Sequence, residues 1–435
     1  MIRLCVNLFV IAVLAGSGLQ AFEPLYERAP ILYHESEADS VLTRLFAEAR
    51  PGGPLASGTD LEILQNLLEE LDVPIESQVL VFSKTSAQNS KISPRTPRAI
   101  YFSDNIYVGW CQGGEIEVAS FDEKLGLVFH LVELTTRAEN QPPSLARERS
   151  CLNCHAGSSN RNFPGLMVRS VYPEETGQPL FQAGTFHTRQ DSPIDERWGG
   201  WYVTGSVDES SHLGNCFAIG SRTENEITVH PISDSALSSL DGVISSEPYL
   251  HGGQSDMVAL MMLEHQVGVH NALVEANLTT RTTLHRHVDM QRAFGEPVDA
   301  PLSDTNRRIL ENAAERVLEQ MLFVEEFPLP GGVEGSPEFQ EAFQESAVKN
   351  EEGRSLKDFR LYERLMKYRC SYLIYSDAFD HLPNEIRTLI LDRLHGILTK
   401  PSEYPEFDYL SSSERERIYE ILLQTLPRLS PAWQG

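Results

Sequence analysis

The sequence predicts an α+β fold, with a mixed, strand-rich middle region followed by a mostly α-helical C-terminal region. Between residues 78 and 220, short runs of β-branched and aromatic residues alternate with turn-forming segments. From about Ser255 onward, apolar residues recur with the period of amphipathic helices. We divide the chain into three parts: a signal peptide at 1–21, an α+β region at 22–250 and a helical region at 251–435.

The first 21 residues have the layout of a secretory signal peptide. Arg3 precedes a short apolar run at 4–15, and small residues follow, so that cleavage after Ala21 or after Ser17 fits the pattern. The apolar run is short for a membrane span, although an uncleaved anchor is the alternative interpretation. We therefore expect an exported, periplasmic protein with no integral membrane span after cleavage.

The order of the elements follows from local patterns. A leucine stripe behind Asp60 predicts the first helix. Strands are predicted at 78–83, 99–110, 115–121, 125–134, 166–173, 199–207 and 215–220. Helices are predicted at 255–277 and 304–322, with a linker at 325–339 and three or four further helices, the last opened by Ser411 and Glu414 in capping-box spacing.

The charge of the chain limits its partners. Acidic residues outnumber basic ones by 62 to 36, and the formal net charge is -26. A surface this negative repels phosphate backbones, so nucleic acid is excluded as a partner class. A basic redox partner protein would be attracted.

The pentapeptide Cys151-Leu152-Asn153-Cys154-His155 is the strongest chemical signal in the sequence. In c-type haem attachment, two thiols spaced in this way form thioether bonds to the porphyrin, and the adjacent imidazole binds the iron. Cys151 and Cys154 would hold the haem, and His155 would be its axial ligand. Export supports this interpretation, because c-type haem is attached outside the bacterial cytoplasm.

Two other interpretations of the pair remain. A structural zinc site needs a second ligand pair, and the sequence has no other CxxC or HxxxH. A redox-active dithiol would leave the adjacent histidine unexplained. After removal of the signal peptide the other cysteines are Cys111, Cys216 and Cys370, which we expect to be buried as small apolar residues.

The second axial position of the iron decides between electron transfer and ligand chemistry. We favour His212, in the polar turn "ESSHLGN", as the second metal ligand. The alternatives are His187, His265, His270, Met167 or no protein ligand at all. For the haem propionates, Arg197 and Trp198 in "RWGGWYVTG" are the candidate clamp, with Arg169 and Arg189 nearby.

Several longer blocks resemble a group of exported bacterial monohaem proteins known only as cytochrome c-like. They are "QVLVFSKTS", "ISPRTPRAIYF", "NIYVGW", "CLNCH", "RSVYP", "ERWGGWYVTG" and "YLIYSDAF", and the similarity runs from about residue 60 to about residue 400. The resemblance implies one haem held by Cys151, Cys154 and His155. It also implies a His-(Met/Leu)-Gly-Asn turn at His212, but it brings no known reaction.

These observations lead to a hypothesis with two alternatives. The leading one is a periplasmic monohaem c-type cytochrome that transfers electrons between partner proteins. The chain is much larger than one haem requires, so a haem-dependent, peroxidase-like oxidoreductase with an open distal iron position is the first alternative. The second is a docking subunit of a larger redox complex, with the helical region as its interface.

Overall fold

The computed structural model of the protein describes residues 23–207, 211–220, 227–233 and 236–434. The signal peptide predicted at 1–21 lies outside these ranges, so export stays a prediction from sequence. Among the described residues, no helix combines the length and the apolar character that a bilayer crossing requires.

The α+β architecture is confirmed, and it begins with two capped helices. Helix α1 spans Val41–Glu48 and α2 spans Asp60–Glu70. Ser40 and Thr59 precede them, and each side chain accepts a hydrogen bond from the backbone N–H three residues later. The backbone N–H of each cap residue in turn donates to the side chain of that third residue, Thr43 or Glu62, so N–H groups that a helix start leaves unpaired are satisfied.

The middle region is built on one antiparallel sheet. Its six strands follow each other in space in chain order: β1 at Val79–Val81, β2 at Arg98–Phe102, β3 at Ile106–Trp110, β4 at Ile116–Asp122, β5 at Gly126–Glu133 and β6 at Ser144–Arg147. Each pair of neighbours is antiparallel, as expected for strands joined by short connections.

The sheet separates two hydrophobic cores, because successive side chains of a strand point to opposite faces. In β3, Ile106, Val108 and Trp110 belong to the core that packs on α2, whereas Tyr107 belongs to the larger core on the other face. Every residue of β3 is therefore buried, which explains why its sequence is an almost continuous apolar run.

The chain then passes through short elements before the helical region. Helix α3 spans Leu152–His155, and the strands that follow are β7 at Val168–Val171, β8 at Thr185–Thr188, β9 at Ser206–Val207, β10 at Cys216–Gly220 and β11 at Ile227–Pro231. Strands β7 and β8 form one two-stranded sheet and β10 and β11 another.

The C-terminal region contains six helices among its described residues, together with three short strands. In chain order these are α4 at Met257–Phe294, α5 at Asp304–Met321, β12 at Val333–Glu334, α6 at Pro337–Glu345, β13 at Phe359–Tyr362, β14 at Arg364–Met366, α7 at Asp377–Asp380, α8 at Asn384–Thr399 and α9 at Ser412–Thr425. Ser411 caps α9 through the backbone N–H of Glu414, as the sequence predicted.

The three short strands were not predicted from sequence. The segment 325–339 is not only a linker, since β12 pairs with β9, and β13 pairs with β14 as a hairpin. Strands of two to four residues are too short for an alternating pattern to be recognised.

Helix α4 is the central element of the molecule. It is 38 residues long, and its side chains are buried almost without interruption from Met257 to Ala276, apart from Asn271. One continuous core packs around it and extends from Tyr26 to Trp433, so it crosses the boundary that we placed at 250/251. The sheet and the helices therefore share one hydrophobic core around α4.

Candidate functional site

The CLNCH segment forms a single short turn of helix. A 3-10 turn at Arg149–Cys151 continues directly into α3, and Leu152 anchors the turn in the core. Cys154 and His155 follow Cys151 by three and four residues, which places each of them next to Cys151 on the surface of the turn. Cys151 is half-buried, Cys154 is exposed, and both thiols are free.

All three of these side chains line one cavity of about 320 Å³, a size within the range of small-molecule and cofactor sites. The cavity lies between the sheet and α4. Ile100, Ala119 and Phe129 contribute from the sheet, and Leu263 and Val267 contribute from α4. These walls are apolar, so a planar hydrophobic group inside would be kept from water.

His155 is held in a defined orientation. Its Nδ1 lies 2.8 Å from the carbonyl oxygen of Gly165, and its ring lies 4.6 Å from the Phe129 ring, centroid to centroid. A carbonyl can only accept, so Nδ1 carries the proton and the lone pair is on Nε2. Burial lowers the pKa of His155 below its ordinary value, which outweighs the opposing effect of the Gly165 carbonyl. The imidazole is therefore neutral, as a metal ligand must be.

The Gly165 carbonyl is itself fixed by neighbouring residues. Asn271 of α4 accepts a hydrogen bond from Leu166 N–H and donates one to the Leu166 carbonyl, both at 2.8 Å. Asn160 Nδ2 donates to the His155 carbonyl at 2.9 Å, and Gly165 N–H donates to the same oxygen at 2.8 Å. A side chain at position 165 would overlap Asn271, so the close approach requires glycine.

A charged pair lies on the sheet wall of the cavity. Arg98 of β2 forms an ion pair with Glu117 of β4, and its guanidinium crosses the intervening strand where Gly109 leaves room. Ser86 and Gln88 each donate to Glu117 Oε1 at 3.0 Å. Burial favours the neutral form of Glu117, but Arg98 and these hydrogen bonds outweigh it and lower the pKa. The pair is thus ionised at the wall of the cavity, which also contains apolar side chains from the sheet and α4.

The predicted propionate clamp is not part of this cavity. Arg197 forms a buried ion pair with Glu264 at 2.6 Å, and their side chains are 4% and 0% exposed. Its other donors bind the carbonyls of Ser192 and Gln190. Trp198 is fully buried and does not line the cavity. The cavity contains a different arginine, Arg169, whose Nε donates to Thr185 Oγ1 at 3.0 Å.

None of the four histidines considered as second axial ligand lines the cavity. His212 packs against Trp198 at 5.2 Å between centroids, and burial lowers its pKa to about 4. His187 is exposed on β8. Both ring nitrogens of His265 lie within hydrogen-bond distance of Gln190 and Ser371, and His270 Nδ1 lies 2.6 Å from Tyr107 Oη.

Met167 is the one sequence-predicted alternative that the structure brings to the cavity. It follows Gly165 by two residues, and Gly165 binds the imidazole nitrogen that points away from any metal on Nε2. The chain thus reaches Met167 two residues after the carbonyl that orients His155.

Sequence reasoning missed Arg98, Glu117, Tyr107 and Asn271. The strand pattern contained a signal for the first two, because alternation in "RAIYF" and "IEVASF" places Arg98 with Ile100 and Glu117 with Ala119 on one face. A charged residue in register with inward-facing apolar residues indicates a polar feature inside the core. Tyr107 and Asn271 had no comparable signal, since their roles depend on contacts distant in sequence.

The zinc interpretation would need a cluster of ligands. Within the described ranges there is no group of three or more His, Cys, Asp or Glu side chains arranged to hold a metal ion. The other three cysteines of the described chain, Cys111, Cys216 and Cys370, are buried free thiols, as predicted.

No protein-family model, curated protein or solved structure matches this chain.

Proposed function

We propose that the chain binds one haem covalently in this cavity and acts as a periplasmic c-type cytochrome that transfers electrons. Cys151 and Cys154 would form the thioether bonds, and His155 Nε2 would bind the iron. One observation carries the proposal: both thiols and an oriented, neutral imidazole line a single apolar cavity. Bound haem supplies a metal centre that gains and loses one electron.

The residues around the cavity have separate tasks. The Gly165 carbonyl holds the His155 proton on Nδ1, which fixes the ring and increases the basicity of Nε2. The walls formed by Ile100, Phe129 and Leu263 exclude water, which favours the less charged state of a metal centre. Arg169 is the cation placed to pair with a propionate.

The exposed position of Cys154 supports electron transfer to another protein. A thioether at Cys154 would bring one edge of the macrocycle to the surface. The net charge of -26 would attract a basic partner to that surface. Export through the segment 1–21 belongs to the same proposal, because haem attachment of this kind takes place outside the cytoplasm.

A haem-dependent oxidoreductase with an open distal position is the second candidate. It is favoured by the finding that His212, His187, His265 and His270 all lie outside the cavity lining, and it requires that His130 of β5, which does line the cavity, leaves the iron position open. Ligand binding to iron requires a free or water-occupied position.

One optical experiment distinguishes the two candidate functions. The full chain is produced in a bacterium with cytochrome c maturation, purified from the periplasm, reduced and exposed to carbon monoxide. A spectrum that does not respond to carbon monoxide supports electron transfer with two protein ligands, and a shifted Soret band supports the oxidoreductase. A periplasmic protein without covalent haem would contradict both.

A further inference from the structure

Tyr107 and His270 form a buried hydrogen-bonded pair at the wall of the cavity. Tyr107 of β3 lines the cavity, whereas His270 of α4 lies outside the lining. Tyr107 Oη lies 2.6 Å from His270 Nδ1, and the two residues are 5% and 1% exposed. The hydrogen bond is therefore short and shielded from solvent.

The phenol of Tyr107 is the donor of this hydrogen bond. Burial raises the pKa of Tyr107 well above its ordinary value, against the opposing effect of Gln266, so the phenol keeps its proton. Burial also lowers the pKa of His270 to about 3, so the imidazole is neutral and one ring nitrogen is an acceptor. That acceptor is Nδ1, because the oxygen of nearby Gln266 accepts from Tyr372 instead. The His270 proton is then on Nε2.

Its partner distinguishes Tyr107 from the other hydrogen-bonded tyrosines of the described chain. Those hydroxyl groups bond to oxygen atoms: Tyr33, Tyr202, Tyr249 and Tyr409 to backbone carbonyls, Tyr101 and Tyr372 to glutamine side chains, and Tyr375 to Thr425. Such oxygen atoms do not bind a proton near neutral pH, whereas a neutral imidazole does. Within this set, Tyr107 is therefore the tyrosine that can lose its proton along an existing hydrogen bond.

We propose that Tyr107 is a redox-active residue that gives one electron to a high-potential metal oxidant in the cavity, with His270 as the proton acceptor. The electron leaves the Tyr107 ring, and the phenolic proton moves to His270 Nδ1. The products are a neutral phenoxyl radical, an imidazolium and the metal oxidant reduced by one electron. One electron from a reductant, together with the proton on Nδ1, restores the phenol. This activity belongs to the chain itself and goes beyond haem attachment.

The surroundings of His270 favour the proton transfer. An oxidised phenol is a much stronger acid than an imidazolium, so the proton moves as the electron leaves. The Phe121 ring lies 4.5 Å from the His270 ring, centroid to centroid, and an aromatic ring at this distance stabilises a positive charge. Nε2 of His270 has no hydrogen-bond partner among the described residues, so the proton stays beside the radical and can return.

Trp201 is the competing electron donor, because it also lines the cavity. Its Nε1 donates to the carbonyl oxygen of Arg169 at 2.8 Å, and a carbonyl does not take up the proton that an oxidised indole releases. Oxidation of Trp201 would leave a positive charge on a residue that is 4% exposed, which burial disfavours. The hydrogen-bond partners therefore favour Tyr107.

The experiment places a metal oxidant at the cavity of the full chain produced without haem. A ruthenium(II) polypyridyl complex is attached to the Cys154 thiol, which is exposed and lines the cavity, in a Cys151→Ala background. A light flash with a cobalt(III) quencher, which takes one electron irreversibly, produces ruthenium(III). The readouts are the decay rate of ruthenium(III) and the electron paramagnetic resonance spectrum of the protein radical.

We expect a tyrosyl radical whose spectrum narrows in protein grown with ring-deuterated tyrosine. Tyr107→Phe should remove this radical. The matched control Tyr101→Phe, at a buried tyrosine whose hydroxyl donates to Gln78, should retain it. His270→Gln should form the radical about 100-fold more slowly, because the glutamine side chain does not take up a proton.

A tyrosyl radical that persists in Tyr107→Phe would overturn the proposal, as would a tryptophan radical that is lost in Trp201→Phe or the absence of any protein radical. Equal rates in His270→Gln and its parent would reject His270 as the proton acceptor. If His270→Gln does not fold, high-field spectra of the parent radical replace it, since a hydrogen bond from imidazolium lowers the largest g-value; a g-value typical of a phenoxyl radical without a hydrogen bond gives the same rejection. The haem proposal is tested separately, because none of these measurements uses haem.

Discussion

Asn271 shows how a single side chain can orient His155 through the backbone of neighbouring residues. Its amide pairs with both backbone groups of Leu166 and so fixes the neighbouring Gly165 carbonyl against His155 Nδ1. A ligand imidazole that donates to a carbonyl is more basic, and a more basic ligand stabilises oxidised iron.

We expect Asn271→Ala to raise the redox potential of the holoprotein, on the order of tens of millivolts, because the hydrogen bond to His155 weakens. The measurement is a spectroelectrochemical titration. The control is Asn312→Ala, which changes an exposed asparagine of α5. Equal potentials for both variants and the wild type would show that Asn271 does not position the imidazole.

Glu326 makes the free energy of unfolding depend on pH, whether or not haem is bound. Burial raises the pKa of Glu326 from 4.5 to about 7, although its hydrogen bond from Leu365 N–H and the nearby Arg369 oppose the rise. The folded state therefore binds this proton more tightly than the unfolded chain. The resulting stabilisation is present at low pH and is lost as the pH rises from about 4.5 to about 7.

Glu326→Gln keeps the acceptor oxygen and removes the titration. At pH 8 the free energy of unfolding of the variant should exceed that of the wild type by roughly 1–3 kcal/mol, and near pH 4.5 the two should be equal. Urea denaturation at both pH values checks this. Glu325→Gln, at an exposed neighbouring position, is the control. A difference that is the same at both pH values would rule out the titration.

At the scale of elements, the ion pair between Arg197 and Glu264 fastens the loop after β8 to α4. Both side chains are buried, so the removal of one charge leaves the other unpaired in the core. Arg197→Met should lower the free energy of unfolding by about 3–5 kcal/mol. The double variant Arg197→Met and Glu264→Met should recover most of that loss, as measured by chemical denaturation.

The same variants test whether Arg197 binds a haem propionate, the role predicted for it from the sequence. If the arginine held a propionate, Arg197→Met would alter the haem spectrum or potential, and Glu264→Met would not restore it. The ion-pair account expects the folded single variant to retain covalent haem with an unaltered spectrum.

Elements with a strong local pattern could be predicted from the sequence. The leucine stripe behind Asp60 and the capped helix after Ser411 are present where the sequence indicated them. The strand predicted at 99–110 is two strands, β2 and β3, separated by residues 103–105. Helix α4 continues to Phe294, beyond the predicted end at 277, since its second half becomes polar and lacks a stop signal before Gly295. The short strands β12, β13 and β14 depend on pairing partners that the local sequence does not show.

The candidate site also contains residues that could be predicted from the sequence and residues that could not. Cys151, Cys154 and His155 form a contiguous motif, so a shared site for the three could be predicted from their spacing, while haem attachment there stays a prediction. His212 and Arg197 were selected because their local sequences are polar and contain suitable groups. Whether such a group faces a cavity depends on tertiary packing. Here His212 packs against Trp198 instead, and Arg197 pairs with Glu264 of α4.

At the scale of the whole molecule, one core unites the regions that the sequence suggested as separate. Because this core extends from Tyr26 to Trp433 around α4, we expect the chain to unfold as one unit. Thermal unfolding followed by far-ultraviolet circular dichroism and by tryptophan fluorescence should give coincident single transitions. Two separated transitions would show that the division at 250/251 is a real domain boundary.

The large size of the chain relative to the cavity also has a structural reason. The cavity requires the sheet as one wall, α4 as another and the α3 turn as a third, and each wall is buried against further helices. Most of the helical region therefore supports α4, and only a small part of the chain contacts the cavity.

Covalent haem attachment at the α3 turn is tested most directly by intact mass measurement of the protein matured in the periplasm. The account predicts a mass increase of one haem in the wild type and in Cys216→Ala, which changes a buried thiol outside the cavity. It predicts no increase in the double variant Cys151→Ala and Cys154→Ala. An unmodified wild-type mass from a host that matures other c-type cytochromes would contradict it.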